Sequence, residues 1–146
     1  MALSISDKKQ IRALDGAITR QLQAAYAGNL GDAVYVDSSG TVQAAYAGEN
    51  TATKHRGYGL VTSAATQKTD GTFSVGDMLG VTVFGPVGGF AGGTEGREFY
   101  VSPSTAGALT ETKPTGAGQQ VMSMGRIEKE TIVMVMPQST APVSGA

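Results

Sequence analysis

Residues 84 to 93 read FGPVGGFAGG, five glycines framed by Phe84 and Phe90, and a glycine-dense loop is where a chain can cradle a phosphate. That chemistry needs particular companions. A P-loop requires a Lys-Ser/Thr pair after its last glycine, one for the phosphates and one for magnesium, whereas this chain continues TEGREF. A dinucleotide fingerprint requires GxGxxG opening a helix; VGGFAGGTEG does not have that spacing, and GYGLVT (57 to 62) and GAGQQV (116 to 121) fail at the third glycine. The stretch therefore reads as a corner between strands, with Phe84, Pro86, Val87 and Phe90 as apolar surface at that corner.

Other reactive residue types are sparse. His55 is the single histidine, flanked by Lys54 and Arg56 in a polar stretch, and no GxSxG elbow offers it a nucleophile. Asp32, Asp37, Asp70, Asp77, Glu95, Glu98, Glu111, Glu128 and Glu130 are scattered, several in turns where a carboxylate caps backbone N–H groups. Asp70 and Asp77 flank a loop as calcium ligands do, but no DxDxDG run accompanies them. Methionines 78, 122, 124, 134 and 136 fall at alternating positions of apolar segments and read as packing. The expectation is a protein that is not an enzyme and carries no cofactor or metal.

The elements that hold these residues are short strands. Glycine makes up 21 of 146 residues without a collagen-like period, which implies many turns. GDAVYVD (31 to 37), the turn DSSG and TVQAAYA (41 to 47) spell a hairpin; GYGLVTSAAT (57 to 66), MLGVTVF (78 to 84), REFYVS (97 to 102), ALTET, QQVMSMGRI (119 to 127) and TIVMVM (131 to 136) follow as strands. QAAYAG occurs at 23 to 28 and again at 43 to 48, each copy ending a strand at a glycine. Ile11, Leu14, Ile18, Leu22 and Tyr26 fit a helical stripe. The same region also fits a strand over 17 to 26 after an Asp15-Gly16 hairpin dipeptide; the strand is preferred, with 5 to 14 open. The fold class is mainly β, a small barrel or sandwich with an N-terminal arm, short helix or extended. The chain divides into an arm (1 to 17), a β-domain (18 to 137) and a loose Pro/Ser/Gly-rich tail (138 to 146).

Composition bounds the partners. Eleven basic against twelve acidic residues give a formal charge of −1, and the nearest basic group, Lys8, Lys9, Arg12 and Arg20, has no interleaved aromatic, so no nucleic-acid partner is expected. No signal-peptide pattern or membrane-span stretch occurs, which predicts a soluble protein made in the cytoplasm, and the absence of cysteine makes it indifferent to redox compartment. TIVMVM is apolar from Ile132 to Met136 and AVYV at 33 to 36 nearly so, where a strand with one wet face should alternate. Both faces of these strands want cover, from the chain's own loops or from a symmetric neighbour.

The phrases VTVFGPVGGFAG, REFYVSPSTAGALTETKP, VMSMGRI and TIVMVMPQS, in that order over 76 to 136, resemble the C-terminal part of small structural proteins of tailed bacteriophages: capsid decoration (cement) proteins and related trimeric head and tail β-domains. GNLGDAVYVDSSGTVQAAYA and GYGLVTSAA are similar to the upstream half, so the likeness spans 18 to 137. The turn GGTEG departs from the leucine and proline more usual there, and residues 1 to 17 match nothing in the pattern. The resemblance implies a homotrimer on the outer surface of the virion head, bound to the major capsid protein, with no catalytic residues. The alternative is a tail, collar or fibre domain. The N-terminal segment, with Ile5, Ile11 and Leu14 among Lys8, Lys9 and Arg12, is the candidate for a shell-contacting arm, and the corner residues Phe84, Pro86, Val87 and Phe90 are candidate interface residues that meet either this subunit's core or a neighbour's.

Overall fold

The computed structural model describes residues 3–5, 7–48, 54, 56–65, 70–138 and 141–142; His55 lies outside them. Among these, one 3-10 turn (Lys8–Gln10) and fourteen strands follow in order: β1 (Arg12–Ala13), β2 (Ile18–Gln23), β3 (Gly28–Asn29), β4 (Ala33–Val36), β5 (Val42–Ala44), β6 (Gly59–Ala64), β7 (Thr72–Phe73), β8 (Met78–Gly88), β9 (Glu98–Val101), β10 (Leu109–Thr110), β11 (Gln120–Val121), β12 (Ser123–Lys129), β13 (Ile132–Val135) and β14 (Ala141–Pro142). The chain is mainly β, as its turn chemistry predicts.

Ten strands make one antiparallel sheet, in the order β10-β9-β12-β13-β8-β6-β4-β5, with β1 and β2 added to the other edge of β8. Strand β8 is eleven residues long, about 36 Å at the rise of an extended chain, and belongs to both halves of the sheet. Its first part lies between β2 and β6, and its second between β1 and β13. The sheet curls into a half-barrel, and a parallel bridge from Ala24 to Val42 brings the end of β2 back to β5, with the Ala25 N–H donating to the Val42 carbonyl at 2.9 Å. On β8, Leu79, Val81 and Val87 point into the core with Leu60, Phe99, Met124, Val133 and Val135, all fully buried. Met78 and Phe84 point outward and are exposed.

The hairpin at 31 to 47 forms as read, with Val34 opposite Ala44 and Val36 opposite Val42. Asp37 closes its turn by accepting from the backbone N–H groups of Ser39 and Thr41 and from the Thr41 hydroxyl. Strand β4 is covered on both faces by its own chain, with Ala33, Val34 and Tyr35 buried. Strand β13 alternates instead, with Val133 and Val135 buried and Ile132 and Met134 half-buried. The two QAAYAG copies share a local cause: a Cβ at Gly28 would strike the Tyr26 ring, and one at Gly48 the Tyr46 ring, so each tyrosine folds over the glycine two residues on.

Two readings of the sequence change. The segment from Gly85 to Gly88 is strand, not corner: β8 runs through it against β13, with Pro86 opposite Met134. A proline is tolerated there because the ladder on its other side is already broken. The Pro86 carbonyl accepts from the Leu14 N–H at 2.9 Å, and the Leu14 carbonyl, which an N–H at position 86 would fill, accepts instead from Ala17 N–H at 3.1 Å. The Asp15-Gly16 pair is not a hairpin: β1 and β2 both run antiparallel to the same edge of β8, and residues 14 to 17 form a loop standing opposite only residues 85 and 86.

The stretch from Gly89 to Gly93 is where the N-terminal segment seats. Ser4 and Ala91 exchange two backbone hydrogen bonds of 2.9 Å each, and Leu3 and Ile11 enter the core at 8% and 2% exposure. Asp7 caps the 3-10 turn by accepting from Lys9 N–H at 3.1 Å. At Gly89, φ is +105° and a Cβ would fall 2.5 Å from the carbonyl carbon of Gln10 and 2.6 Å from Ile11 N. Only glycine lets the two backbones approach this closely. Of the tail, Ala141 and Pro142 pair with Val121 and Gln120.

Gly89→Ala should lower stability by about 2 to 4 kcal/mol, the sum of left-handed backbone strain and overpacking against Gln10. Gly16→Ala, at φ +92° with nothing within 4 Å of its Cβ, should cost only about 1 to 2 kcal/mol. Urea denaturation of both variants measures the difference; equal midpoints would show that the segment does not rest on Gly89.

Candidate partner-binding surface

The seven apolar residues singled out by the sequence separate into three environments. Ile11, Val87 and Phe90 are core residues, at 2%, 0% and 4% exposure, and are not available to a partner in this fold. Leu14 and Pro86 are half-buried, and Ile5 and Phe84 are exposed. The two phenylalanines of the glycine-rich stretch thus do different things: Phe90 anchors the seat of the N-terminal segment, and Phe84 faces out.

Phe84 is not alone. Ile18 is its cross-strand partner on β2 and is 55% exposed. Along β8, Pro86 follows on the same outward face, opposite Met134 of β13, and Ile132 follows opposite Gly88. A Cβ at Gly88 would sit 3.3 Å from the Leu14 side chain, which places Leu14 beside them. Arg126 lies opposite Met134 and 4.0 Å from Glu98, an exposed ion pair that borders the apolar strip and adds little energy. The strip is a continuous patch of the kind that associating domains bury.

Strand alternation in the sequence puts Ile18 on the face of Leu22 and Ala24, which turn inward; Ala24 is 2% exposed. The register shifts between Ile18 and Thr19, and that bulge places Ile18 opposite Phe84. The signal available in the sequence was the neighbouring Asp15-Gly16, which marks an irregularity but not its sense.

A second feature is a cleft of about 480 Å³ between the N-terminal segment and the body, with Leu3, Lys8, Asn29, Asp32, Phe90 and Leu109 among its walls. Asp32 closes the turn below it, its Oδ2 accepting from Asn29 N–H at 3.1 Å and from the Tyr26 hydroxyl at 2.9 Å. The Lys8 Nζ donates to Asn29 Oδ1 at 2.7 Å. Burial pushes the Asp32 carboxyl up to about 6, although the Asn29 and Tyr26 hydrogen bonds and the Lys8 charge work the other way. Tyr26 is held well above the usual phenol range, first by burial and then by the Asp32 charge.

Most other turn carboxylates do what the sequence assigned them. Asp70 accepts from Thr72 N–H at 3.1 Å and Asp77 from Ser74 N–H at 2.8 Å. Glu111 is buried at 8% exposure and accepts from Thr94 N–H at 3.1 Å through Oε2, while its Oε1 has no partner among the described residues. Among the described residues there is no group of three His, Asp or Glu side chains that could hold a metal ion, and no helix long and apolar enough to cross a membrane.

Comparison with known proteins assigns no relatives: no protein family, no curated protein and no solved structure matches this chain.

Between the ordinary aspartate value of 3.8 and about 6, folded Asp32 holds its proton more tightly than unfolded Asp32, so its contribution to stability is present at low pH and is lost as pH rises through that window. Asp32→Asn should flatten this part of the stability curve and raise stability at pH 7 by about 1 to 3 kcal/mol, since an amide oxygen still accepts from Asn29. Denaturation midpoints from pH 4 to pH 7 read this directly; a variant whose curve parallels the parent's would show that Asp32 does not titrate in this window.

Proposed function

We propose that this chain is a structural virion protein of a tailed bacteriophage, which assembles with copies of itself as a trimer and binds the major capsid protein on the outer surface of the head. The observation that carries the association is the exposed cross-strand pair Ile18 and Phe84, continuous with half-buried Pro86, Met134, Ile132 and Leu14 on one sheet face. The phage address is supported by the resemblance of residues 18 to 137 to capsid decoration proteins. Stabilisation of the head would come from avidity, because subunits tied together make the second and third contacts intramolecular.

Contact with the shell cannot be tested by removing the N-terminal segment, because Leu3 and Ile11 belong to the core. Surface substitutions serve instead. Ile18→Asp with Phe84→Asp should leave the thermal midpoint within a few degrees of the parent. It should also lower occupancy on undecorated heads at least tenfold, measured by co-sedimentation and electron cryomicroscopy. A parent protein that is monomeric and ignores heads would overturn the reading, and density at tail tips with bare heads would move it to the tail.

A further inference from the structure

The N-terminal segment joins the rest of the fold through a loop that is exposed at its middle. In a single chain it closes its own groove: Leu3 and Ile11 fill the core, Ser4 pairs with Ala91, and Lys8 reaches Asn29. None of these contacts depends on which copy supplies the segment.

The connection to β2 is the loop of residues 14 to 17. Asp15 and Gly16 are exposed, a Cβ at Gly16 meets nothing within 4 Å, and one backbone hydrogen bond, Ala17 N–H to the Leu14 carbonyl at 3.1 Å, folds the loop. The Leu14 N–H donates to the Pro86 carbonyl at 2.9 Å, but Pro86 has no N–H to return the bond, so one rung of the ladder along β8 is missing there. Straightening four residues gives a reach of about 13 Å where the paired strand advances only about 7 Å. That slack, about 6 Å, is available to a segment that leaves its own groove. Immediately beside this loop stand Ile18 and Phe84, the exposed pair.

We propose that copies of this chain exchange their N-terminal segments, residues 3 to 14 of one seating against Gly89 and Ala91 of the next, with Ile18 and Phe84 buried where the crossing segments meet. The proposal rests on the self-association reading above. A second copy is the occupant because the groove already matches this chain's own residues, and exchange reproduces every contact of the closed form. The added gain is burial of the apolar pair at the crossing, which the closed form leaves in water.

The chain contains no cysteine, so a single engineered pair reports the exchange without interference. Ser4 and Ala91 form a hydrogen-bonded antiparallel pair, whose Cα separation of about 5.5 Å suits a disulfide. The single variants Ser4→Cys and Ala91→Cys are mixed, unfolded in denaturant, refolded together and oxidised. Native mass is then measured by light scattering and covalent products by non-reducing denaturing electrophoresis and mass spectrometry. The expected result is a native oligomer whose main covalent product is the heterodimer of the two single variants, joined by one disulfide between position 4 of one chain and position 91 of the other. The double variant Ser4→Cys/Ala91→Cys, treated alone, should give covalent oligomers. A native oligomer with no heterodimer, and a double variant linked only within the chain, would overturn the exchange and leave self-association standing. A monomeric native mass would overturn both.

Discussion

Strand β8 is the constraint on which the rest of the structure depends, because it runs through both halves of the large sheet and meets a different pair of neighbours in each. Four strands, β1, β2, β6 and β13, find their register from it. Such a strand must present a dry inner face, and Leu79, Val81 and Val87 supply one. Its outer face is mixed by necessity. At Thr82, fully buried, the hydroxyl lies 2.9 Å from that of Thr62 and 3.2 Å from that of Thr19, so one polar position is satisfied across three strands. Farther along, Phe84 and Pro86 have no such cover, and the apolar strip begins there.

The same strand explains why glycine and proline cluster in the middle of the chain. Where β8 passes from neighbours β2 and β6 to neighbours β1 and β13, the partner strand on one edge loops out and a ladder bond is lost. Pro86 occupies the position that would have lost its bond in any case. Beyond Gly88 the chain turns beneath the N-terminal segment, and Phe90 N–H and Gly93 N–H donate to Thr131 and Glu130 on its other side. Residues 89 to 93 are therefore a thin spacer between two backbones: a Cβ at Gly89 or Gly93 would crowd a neighbouring backbone, while Phe90 turns its ring into the core.

Local chemistry was legible in the sequence, and long-range chemistry was not. The 31 to 47 hairpin follows from Asp37 and Gly40, three residues apart, and several of the carboxylates, Asp37, Asp70 and Asp77 among them, accept from backbone N–H groups in turns, as carboxylates there commonly do. The continuation of β8 through Gly85 and Pro86 depends on Leu14, more than seventy positions away, and no local pattern contains that fact. The bulge that turns Ile18 toward Phe84 is equally remote in cause. Ile11 and Phe90 looked like surface because each sits beside charged or glycine-rich neighbours; they are core because the two segments cover each other.

That mutual cover changes what an arm means for this molecule. A segment free to run along another surface must give up little when it leaves, but this one withdraws Leu3 and Ile11 from the core and breaks the Ser4 to Ala91 bridge. Burial of two aliphatic side chains of this size stabilises by about 3 to 6 kcal/mol, a substantial part of what a domain of this length possesses. Release of the segment is therefore coupled to folding of the body. A partner that accepts it must return an equivalent groove at the same time. Contacts that leave the fold intact would fall instead to side chains already in water, Ile5, Ile18 and Phe84; the first two flank the loop of residues 14 to 17 in the chain, and Phe84 stands across from Ile18 where β8 changes neighbours.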